Sequence, residues 1–310
     1  MNKAALPTIR HIYQNHHLDT RRWDNFKPRS GDIVISTSYK TGTTLTQTIV
    51  ANMLFPNGNM PMPVTVLTPW LDMRLGPLEE ILAQLDAQTH RRCVKTHLPL
   101  DGIPFYEEVR YVVVGRDPRD VFMSLVNHYG SHTQQFIDTM NSAPGRVGDP
   151  FPSYDGDIHK LWRNWITRGW FEWENDGWPY WSHLHHAKMW WEFRHLSNIY
   201  FVHYNDLRND LEGEMRALGK YLDIAVPEEL WPSVVDACRF ETVKAHPEKV
   251  MSPMVEMAFK GGGQTFIHQG TNGRWKGVLT GEELELYENA KRKTLPQACA
   301  EWLERGGCVE

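Results

Sequence analysis

Short, fully apolar runs rich in β-branched residues recur along the chain, and segments with helical spacing separate them. Such runs are typical of strands buried on both faces of a parallel sheet, because helices cover both sides of that sheet. The pattern therefore predicts an α/β fold with a central, mostly parallel sheet flanked by helices on both faces. The predicted strands are Asp32 to Thr37, Arg92 to His97, Tyr111 to Gly115 and Ile199 to His203.

Apolar residues at helical spacing, together with residues suited to helix ends, predict the helices between and after these strands. The predicted helices begin at Thr43, span Leu78 to Gln88, run from Pro118 to about Tyr129, span Leu211 to Leu222, run from Pro227 to near Cys238, and close the chain from Glu282 to Leu303 as one amphipathic helix.

Four segments lack a clear period. We expect Met1 to Ser30 to wrap the surface, and Pro56 to Pro77, a long connection with several apolar residues, to form a packed lid that controls substrate access. Gly130 to Gly156 is expected to be irregular. Ile158 to Trp191 holds eight of the thirteen tryptophans, which could either line an acceptor pocket or pack in the core.

Composition narrows the class of protein. With 310 residues and 41% hydrophobic content, the chain is long enough for one large domain, which we take to be residues 1–310. The net charge of −5 argues against a general nucleic-acid binder. The four cysteines have no metal-type spacing, which predicts reduced thiols, and no long apolar block suggests a leader or a membrane span. We therefore expect a cytoplasmic protein without a membrane partner.

The turn between the first strand and the first helix has the composition of an anion site. Gly42 lets the backbone approach a ligand, and the helix that begins at Thr43 offers free N–H groups to a phosphate or sulfate. Lys40 adds a positive charge. A Walker loop needs its lysine after the second glycine, whereas Lys40 precedes Gly42 and Thr37 occupies the first glycine position. The alternative is a turn that only packs.

Lys95 and His97 are two apart on the second predicted strand, so they project from the same face close to its carboxyl end. Open α/β sheets bind ligands at that end, which makes the two residues a candidate acid/base pair. The alternative is a strand that runs into solvent.

Arg116 follows the third strand, and Ser124 lies about two turns into the next helix, so both could clamp one anion. The alternative is a surface pair between Arg116 and Asp117. Further along, the glycine-rich segment from Lys260 to Lys276 could bring backbone amides to an anion, or could be a flexible linker.

These residues resemble the signatures of the cytosolic-type sulfotransferases, and the likeness extends from about Gly31 to Glu285. The signatures occur in the family's order as Ser38 to Thr44, Lys95 to Pro99, Arg116 with Ser124, and Gly270 to Lys276. The resemblance implies a P-loop-like sulfotransferase fold and transfer of a sulfuryl group from 3′-phosphoadenosine 5′-phosphosulfate (PAPS) to an acceptor. The product is adenosine 3′,5′-bisphosphate (PAP), and no metal is implied.

By the same resemblance, His97 is the general base, and Lys40 and Lys95 stabilise the charge that develops on the bridging oxygen and the transferring group. The resemblance implies that the loop around Gly42 binds the 5′-phosphosulfate and that Arg116 and Ser124 bind the 3′-phosphate. The implied cofactor-binding residues are Lys40, Thr41, Gly42, Thr43, Thr44, Arg116, Ser124, Tyr204, Phe240, His268, Gln269 and Gly270.

The chain departs from the family pattern at three places. Where the family has Arg-Lys-Gly at the start of the last signature, this chain has His268, Gln269 and Gly270. Arg274, Lys276 or backbone amides would therefore have to bind the 3′-phosphate. The tryptophan expected after the two threonines is Leu45, which leaves base stacking to Phe240. The dimer motif survives only in part, which makes a homodimer a possibility; its positions are Lys276, Thr280, Gly281 and Glu285.

The implied acceptor is a small molecule with a hydroxyl or amine group. His128 and His132, just beyond the helix that carries Ser124, could face this acceptor or lie on the surface. Two rival functions have the same strand-loop-helix plan: a P-loop-type nucleotide kinase, and a nucleotide-binding protein without catalysis. A kinase needs a Walker lysine and Mg²⁺ ligands, and a pure binder needs no base such as His97.

Overall fold

The computed structural model describes residues 5–309, and its strands form one parallel sheet. The strands are β1 (Ile33–Ser36), β2 (Cys93–Thr96), β3 (Arg110–Gly115) and β4 (Ile199–His203). Their order across the sheet is β2-β1-β3-β4, and each neighbouring pair is parallel. All four strands predicted from the apolar runs are therefore confirmed.

α-Helices follow β1, β3 and β4, and a short 3₁₀ helix follows β2. In chain order they are α1 (Thr43–Leu54), α2 (Val64–Leu67), α3 (Leu78–Ala87), α4 (Pro118–Gly130), α5 (Gln134–Ser142), α6 (Ile158–Thr167), α7 (His183–Trp191), α8 (Tyr204–Asn209), α9 (Leu211–Leu222), α10 (Trp231–Cys238), α11 (Phe240–Ala245), α12 (Pro247–Val250), α13 (Met254–Ala258), α14 (Gly262–Phe266), α15 (Gly281–Thr294) and α16 (Gln297–Arg305). Short 3₁₀ helices span Thr20–Asn25, Leu100–Gly102 and Glu228–Leu230.

The sheet is covered on both faces because successive side chains of each strand point to opposite sides. Val34 and Val113 pack in one apolar cluster with residues of α4, α6, α7, α15 and α16. Ile35 and Val114 pack in a second cluster with residues of α1, α9 and α10. Full burial of each such side chain stabilises the fold by about 1.5–3 kcal/mol. The predicted arrangement of helices on both faces is confirmed.

The strand order places a switch point at β1, because the chain moves from β1 to β2 on one side and then crosses back to β3 on the other. Ligands of open α/β sheets bind beyond the carboxyl ends of the strands at such a point. The residues that follow the four strands at this edge are Thr37, His97, Arg116 and Tyr204.

The expectation that the N-terminal segment wraps the surface is wrong for much of the described part, while residues 1–4 lie outside it. Tyr13 and Leu18 are completely buried in the main cluster. The Tyr13 hydroxyl donates a hydrogen bond of 3.0 Å to Asp101, 88 positions along the chain. Burial here depends on long-range contacts that a local hydropathy pattern does not contain.

Two further expectations need correction. The closing segment is two helices, α15 and α16, because Pro296 lacks the N–H that a continuous helix would need and its ring excludes the preceding turn. The segment from Gly130 to Gly156 contains α5, whose first turn is capped by the Thr133 side chain, because Thr133 Oγ1 accepts a hydrogen bond of 3.2 Å from the Phe136 backbone N–H. The helix expected from Pro227 begins with a 3₁₀ turn and continues as α10.

Most of the eight clustered tryptophans pack in the core. Five are buried, at positions 162, 165, 181, 190 and 191, and only Trp181 of the eight also lines the main cavity. The connection from Pro56 to Pro77 is packed as expected, since Trp70 forms a parallel bridge to Lys95 at the free edge of β2. Its action as a lid stays a prediction. Among residues 5–309, no helix has both the length and the apolar character to cross a bilayer.

Candidate active site

The loop between β1 and α1 has the backbone geometry of an anion cradle. Gly42 has a φ of 118°, a conformation that favours glycine, and a Cβ there would lie 2.9 Å from the Tyr204 ring. Lys40 is also in the left-handed region, with a φ of 52°. Within residues 5–309 no side chain caps the N-terminus of the twelve-residue helix α1. Thr43 and Thr44 there line the cavity, so the free N–H groups of this helix end are available to a ligand.

Lys40 reaches across this cavity from the loop. Its Nζ lies 3.4 Å from His128 Nδ1 and 4.6 Å from the centre of the Phe266 ring. Burial, together with the positive charges of Arg116 and Lys95, lowers the pKa of Lys40 to about 7. An anionic ligand would relieve this penalty, because a nearby opposite charge favours the ammonium form.

His97 presents one unprotonated nitrogen to the same cavity. Its Nδ1 lies 2.8 Å from the Thr37 carbonyl oxygen, and a carbonyl can only accept, so Nδ1 carries the proton. Burial and the charge of Lys95 hold the pKa of His97 well below its usual range. The imidazole is therefore neutral with Nε2 as an acceptor, which is the form that a general base requires.

Lys95 and His97 do lie together, as the two-residue spacing predicts, and both line the cavity. Trp70 connects them: the Lys95 Nζ lies 4.4 Å from the centre of its ring, and the ring meets His97 edge-on at 4.6 Å between centres. The Trp70 Nε1 donates to Asp72 at 2.7 Å, so a buried carboxylate fixes the tryptophan. Burial lowers the pKa of Lys95 to about 8.

Arg116 is buried, so the alternative of a surface ion pair is wrong, and Asp117 pairs with Arg119 instead, at 2.7 Å. The Arg116 guanidinium stacks on the Tyr204 ring at 4.2 Å and donates through Nη1 to the Lys40 carbonyl at 3.0 Å. Ser124 lines the cavity from α4. The predicted clamp of Arg116 and Ser124 therefore opens onto one space, next to the helix N-terminus.

The last signature closes the far side of the cavity. Gly270 has a φ of 63°, and a Cβ there would meet the Phe240 ring at 2.9 Å, so this ring packs directly on the glycine backbone. The Gly270 carbonyl accepts from the Tyr204 hydroxyl at 3.1 Å. His268 and Gln269 line the cavity, and no group among the described residues forms a hydrogen bond with His268 Nδ1.

The cavity has a volume of about 700 Å³ and brings together most of the residues expected in the cofactor site. Thr41 is the exception, since its side chain is fully buried and does not line the space. Of the two proposed substitutes for the missing charges, Arg274 lines the cavity and Lys276 does not.

Sequence reasoning missed three residues around Arg116 and the last signature. Arg208 lines the cavity and donates to the Gly270 carbonyl at 2.7 Å, Lys244 donates to the His268 carbonyl at 3.0 Å, and Asn272 binds Arg116. Only Arg208 had a local signal, because it lies one helical turn after Tyr204 and so on the same face.

The end of the cavity beyond His97 is apolar with several imidazoles. Trp181, Tyr180, Phe136 and Phe259 are among the apolar groups that line it. His128 and His132 line it too, with ring centres 4.9 Å apart, so the alternative that they lie on the surface is wrong. His17, which the sequence did not single out, lines the same region.

Comparison with protein families gives one match over most of the chain, to the sulfotransferase domain over residues 30–298. A glycolipid sulfotransferase of Mycobacterium tuberculosis is 30% identical over 99% of this chain and 98% of the relative. Sulfotransferase 1A1 of Rattus norvegicus is 24% identical over 87% of each chain.

The fold matches solved structures. A mouse sulfotransferase complexed with PAP aligns over 92% of both chains with a TM-score of 0.68 and 17% identity. Retinol dehydratase in complex with androsterone and the inactive cofactor PAP aligns over 89% of this chain and 84% of its own, with a TM-score of 0.67 and 23% identity.

Proposed function

Because the chain belongs to the sulfotransferase domain family and is therefore a sulfotransferase, we propose that it uses PAPS as the donor and a small molecule as the acceptor. One observation carries this proposal: the unprotonated Nε2 of His97 lies in the same cavity as Lys40, Lys95 and the uncapped N-terminus of α1. A base, two cations and an anion cradle are what sulfuryl transfer to a hydroxyl or amine requires.

The residues of the cavity fit the two ends of PAPS. The uncapped N-terminus of α1 with Lys40, Gly42, Thr43 and Thr44 suits the 5′-phosphosulfate, because free N–H groups and an ammonium both favour an anion. The planar fork of Arg116 and the hydroxyl of Ser124 suit the 3′-phosphate. The two solved structures described above share this fold, and both contain PAP.

Further residues would complete this donor site. Phe240 offers a ring on which adenine can stack, and Tyr204 supports the Arg116 guanidinium from behind. Backbone amides around His268, Gln269 and Gly270, with Arg274 or Arg208, would supply the polar contacts that the Arg-Lys pair supplies in the family pattern.

When bound, PAPS supplies an activated sulfuryl group. His97 Nε2 takes the proton of the acceptor's hydroxyl or amine group while the oxygen or nitrogen of that group attacks sulfur. The Thr37 carbonyl holds the imidazole ring in place by accepting a hydrogen bond from His97 Nδ1. Lys40 and Lys95 stabilise the negative charge that develops on the leaving and transferring oxygens. Because these lysines provide the positive charge, we propose that transfer needs no metal.

The acceptor is proposed to be a small molecule with an apolar body, since aromatic rings dominate the wall beyond His97. The relative from Mycobacterium tuberculosis is named a glycolipid sulfotransferase, so the proposed class of acceptors includes hydroxyl groups of sugars and other polyols. We also propose that residues 1–310 act as one domain in the cytoplasm.

A homodimer stays a proposal as well. Of the four partial-motif positions, Thr280 has a role within the chain, because its side chain caps α15. A test of the motif would therefore change Lys276 or Glu285, which are both exposed, the first before α15 and the second within it.

Calorimetric titration with PAP and, separately, with ATP and Mg²⁺ tests the donor site. We expect PAP to bind in the presence of EDTA, and Arg116→Ala to weaken this binding by about a hundredfold or more, because a buried guanidinium would lose its bidentate contact with phosphate. Arg119→Gln is the control, since it removes a nearby cation, in the first turn of α4, that already pairs with Asp117. A preference for MgATP would overturn the proposal in favour of a kinase.

A further inference from the structure

The N-terminal loop from Gln14 to Asp19 delivers an imidazole to the acceptor end of the cavity. Asn15 Oδ1 accepts hydrogen bonds from the backbone N–H groups of His17 and Leu18, at 2.8 and 2.9 Å. The Arg74 backbone N–H donates to the His17 carbonyl at 2.7 Å, and Leu18 bridges to Met73. These contacts hold His17, which is only 4% exposed, in one position on the cavity wall.

The protonation of His17 follows from a chain of hydrogen bonds behind it. His16 Nε2 lies 3.1 Å from the Pro179 carbonyl, so His16 Nε2 carries a proton. Burial lowers the pKa of His16 to about 3, so the ring is neutral and its Nδ1 is a lone pair. That Nδ1 lies 2.5 Å from His17 Nδ1, which must therefore be the donor.

With its proton on Nδ1, His17 exposes a lone pair on Nε2. Burial and the neighbouring imidazoles hold the pKa of His17 well below its usual range, which keeps the ring neutral. Within residues 5–309 no group forms a hydrogen bond with this Nε2. The cavity therefore contains two locked imidazoles that each present a bare Nε2, His97 and His17.

The two imidazoles flank one tryptophan. The Trp70 ring meets His97 edge-on at 4.6 Å and lies nearly parallel to the His17 ring at 6.4 Å between centres. Tyr180 and Trp181 pack around His17, with ring centres at 5.6 and 5.9 Å. An acceptor whose reacting group meets His97 would therefore extend along an aromatic wall toward His17.

We propose that His17 is a specificity-determining residue that accepts a hydrogen bond from a second donor group on the acceptor, so that the preferred acceptors are diols, polyols or amino alcohols with an apolar body. This inference rests on the proposed function, since it assumes that the acceptor occupies this end of the cavity. A carboxylate or ether at the same position is disfavoured, because neither has a proton to donate and the lone pairs of its oxygen would repel the lone pair of His17 Nε2.

The size of the preference follows from the cost of leaving a buried polar atom unpaired. Such a cost corresponds to about a ten- to hundredfold change in affinity. Discrimination of this kind is strong because the site holds a fixed acceptor that an analogue without the hydroxyl cannot satisfy.

The experiment compares 2-naphthol with the dihydroxynaphthalene isomers and with 6-methoxy-2-naphthol, whose second oxygen cannot donate. Values of kcat/KM with PAPS are measured together with calorimetric affinities for the PAP-bound protein. We expect at least one dihydroxy isomer to exceed 2-naphthol about tenfold in both, and the methoxy compound not to do so. In His17→Phe the ratio should fall to about twofold, the statistical value for two reactive groups.

Further variants separate recognition from a loss of structure. His16→Phe removes the acceptor for His17 Nδ1 and should reduce the ratio, and His17→Gln, which keeps a polar acceptor, should retain part of it. His195→Phe, an exposed histidine, is the control and should leave the ratio unchanged. ¹⁵N NMR of the histidine side chains should find His17 protonated on Nδ1 and bare on Nε2.

The outcomes decide the two proposals separately. A ratio that survives His17→Phe in a variant that still binds PAP, equal affinity of all the naphthols, or a proton on His17 Nε2 would each overturn the inference. If no naphthol is sulfated but a dihydroxy isomer binds with a preference that depends on His17, the proposed transfer fails while the recognition stands.

Discussion

Asn272 Oδ1 accepts hydrogen bonds from both Nε and Nη2 of Arg116, at 3.2 and 2.8 Å. The carboxamide thus engages the guanidinium edge that is best suited to two phosphate oxygens. Its own Nδ2 donates to Asn205 Oδ1 at 2.5 Å, which holds it in place. The site therefore contains an internal competitor for the proposed 3′-phosphate.

Removing this competitor should strengthen donor binding. We expect Asn272→Ala to bind PAP about three- to tenfold more tightly than the wild type, because the Arg116 guanidinium no longer has to give up its hydrogen bonds with Asn272 before it binds the phosphate. Asn272→Asp should weaken binding by more than about tenfold, because its carboxylate pairs with Arg116 and repels phosphate. Calorimetric titration measures both. Weaker binding by Asn272→Ala would mean that Asn272 itself contacts the donor.

Donor binding should take up protons above neutral pH. The pKa of Lys40 is about 7, so at about pH 8 this side chain is mostly neutral, and an anion beside it favours the charged form. PAP affinity should therefore fall as the pH rises through 7, and binding at about pH 8 should take up close to one proton at Lys40.

Calorimetry in buffers with different ionisation enthalpies measures this uptake. Lys40→Met should abolish most of it, whereas Lys160→Met, a change on the exposed face of α6, should not alter it. Equal uptake by the wild type and Lys40→Met would show that the lysine is already charged before PAP binds.

Asp72 should contribute to stability out of proportion to its size. Its buried carboxylate accepts from Trp70 Nε1 at 2.7 Å, Trp23 Nε1 at 3.3 Å and the His97 backbone N–H at 3.4 Å. Asp72→Ala leaves these donors unpaired, so we expect the free energy of unfolding in urea to fall by about 3 kcal/mol. Exposed Asp24→Ala should change it by less than about 0.5 kcal/mol. A loss of less than about 1 kcal/mol for Asp72→Ala would contradict the role of Asp72 as the anchor of Trp70.

The strands and the central site were predictable because their signals are local. Each strand is a continuous apolar run, and Lys40, His97 and Arg116 each lie within a few residues of a strand end. Parallel strands bring their carboxyl ends to one edge, so the topology alone places these residues together. This explains why the predicted base and cations line one cavity.

The residues that sequence reasoning missed depend on contacts between distant segments. Asn272 meets Arg116 across 156 positions, and no local pattern relates them. His16 and His17 lie in a polar stretch without periodicity, yet both are buried and hydrogen-bonded to the distant residues Pro179 and Arg74. Pro296 is different, because a proline is a local signal for a helix boundary. The amphipathic pattern continues on both sides of Pro296, which is why a single helix was predicted.

The proposed role of His97 as the general base is tested most directly by transfer from ³⁵S-labelled PAPS to 2-naphthol in the presence of EDTA, measured with the wild type, His97→Ala and the surface control His195→Ala. We predict metal-independent transfer by the wild type and the control, and a loss of at least about a hundredfold in His97→Ala, which should still bind PAP. Transfer by His97→Ala at the rate of the wild type would contradict the role of His97 as the base. Transfer that requires Mg²⁺ would contradict the proposal that Lys40 and Lys95 supply the positive charge.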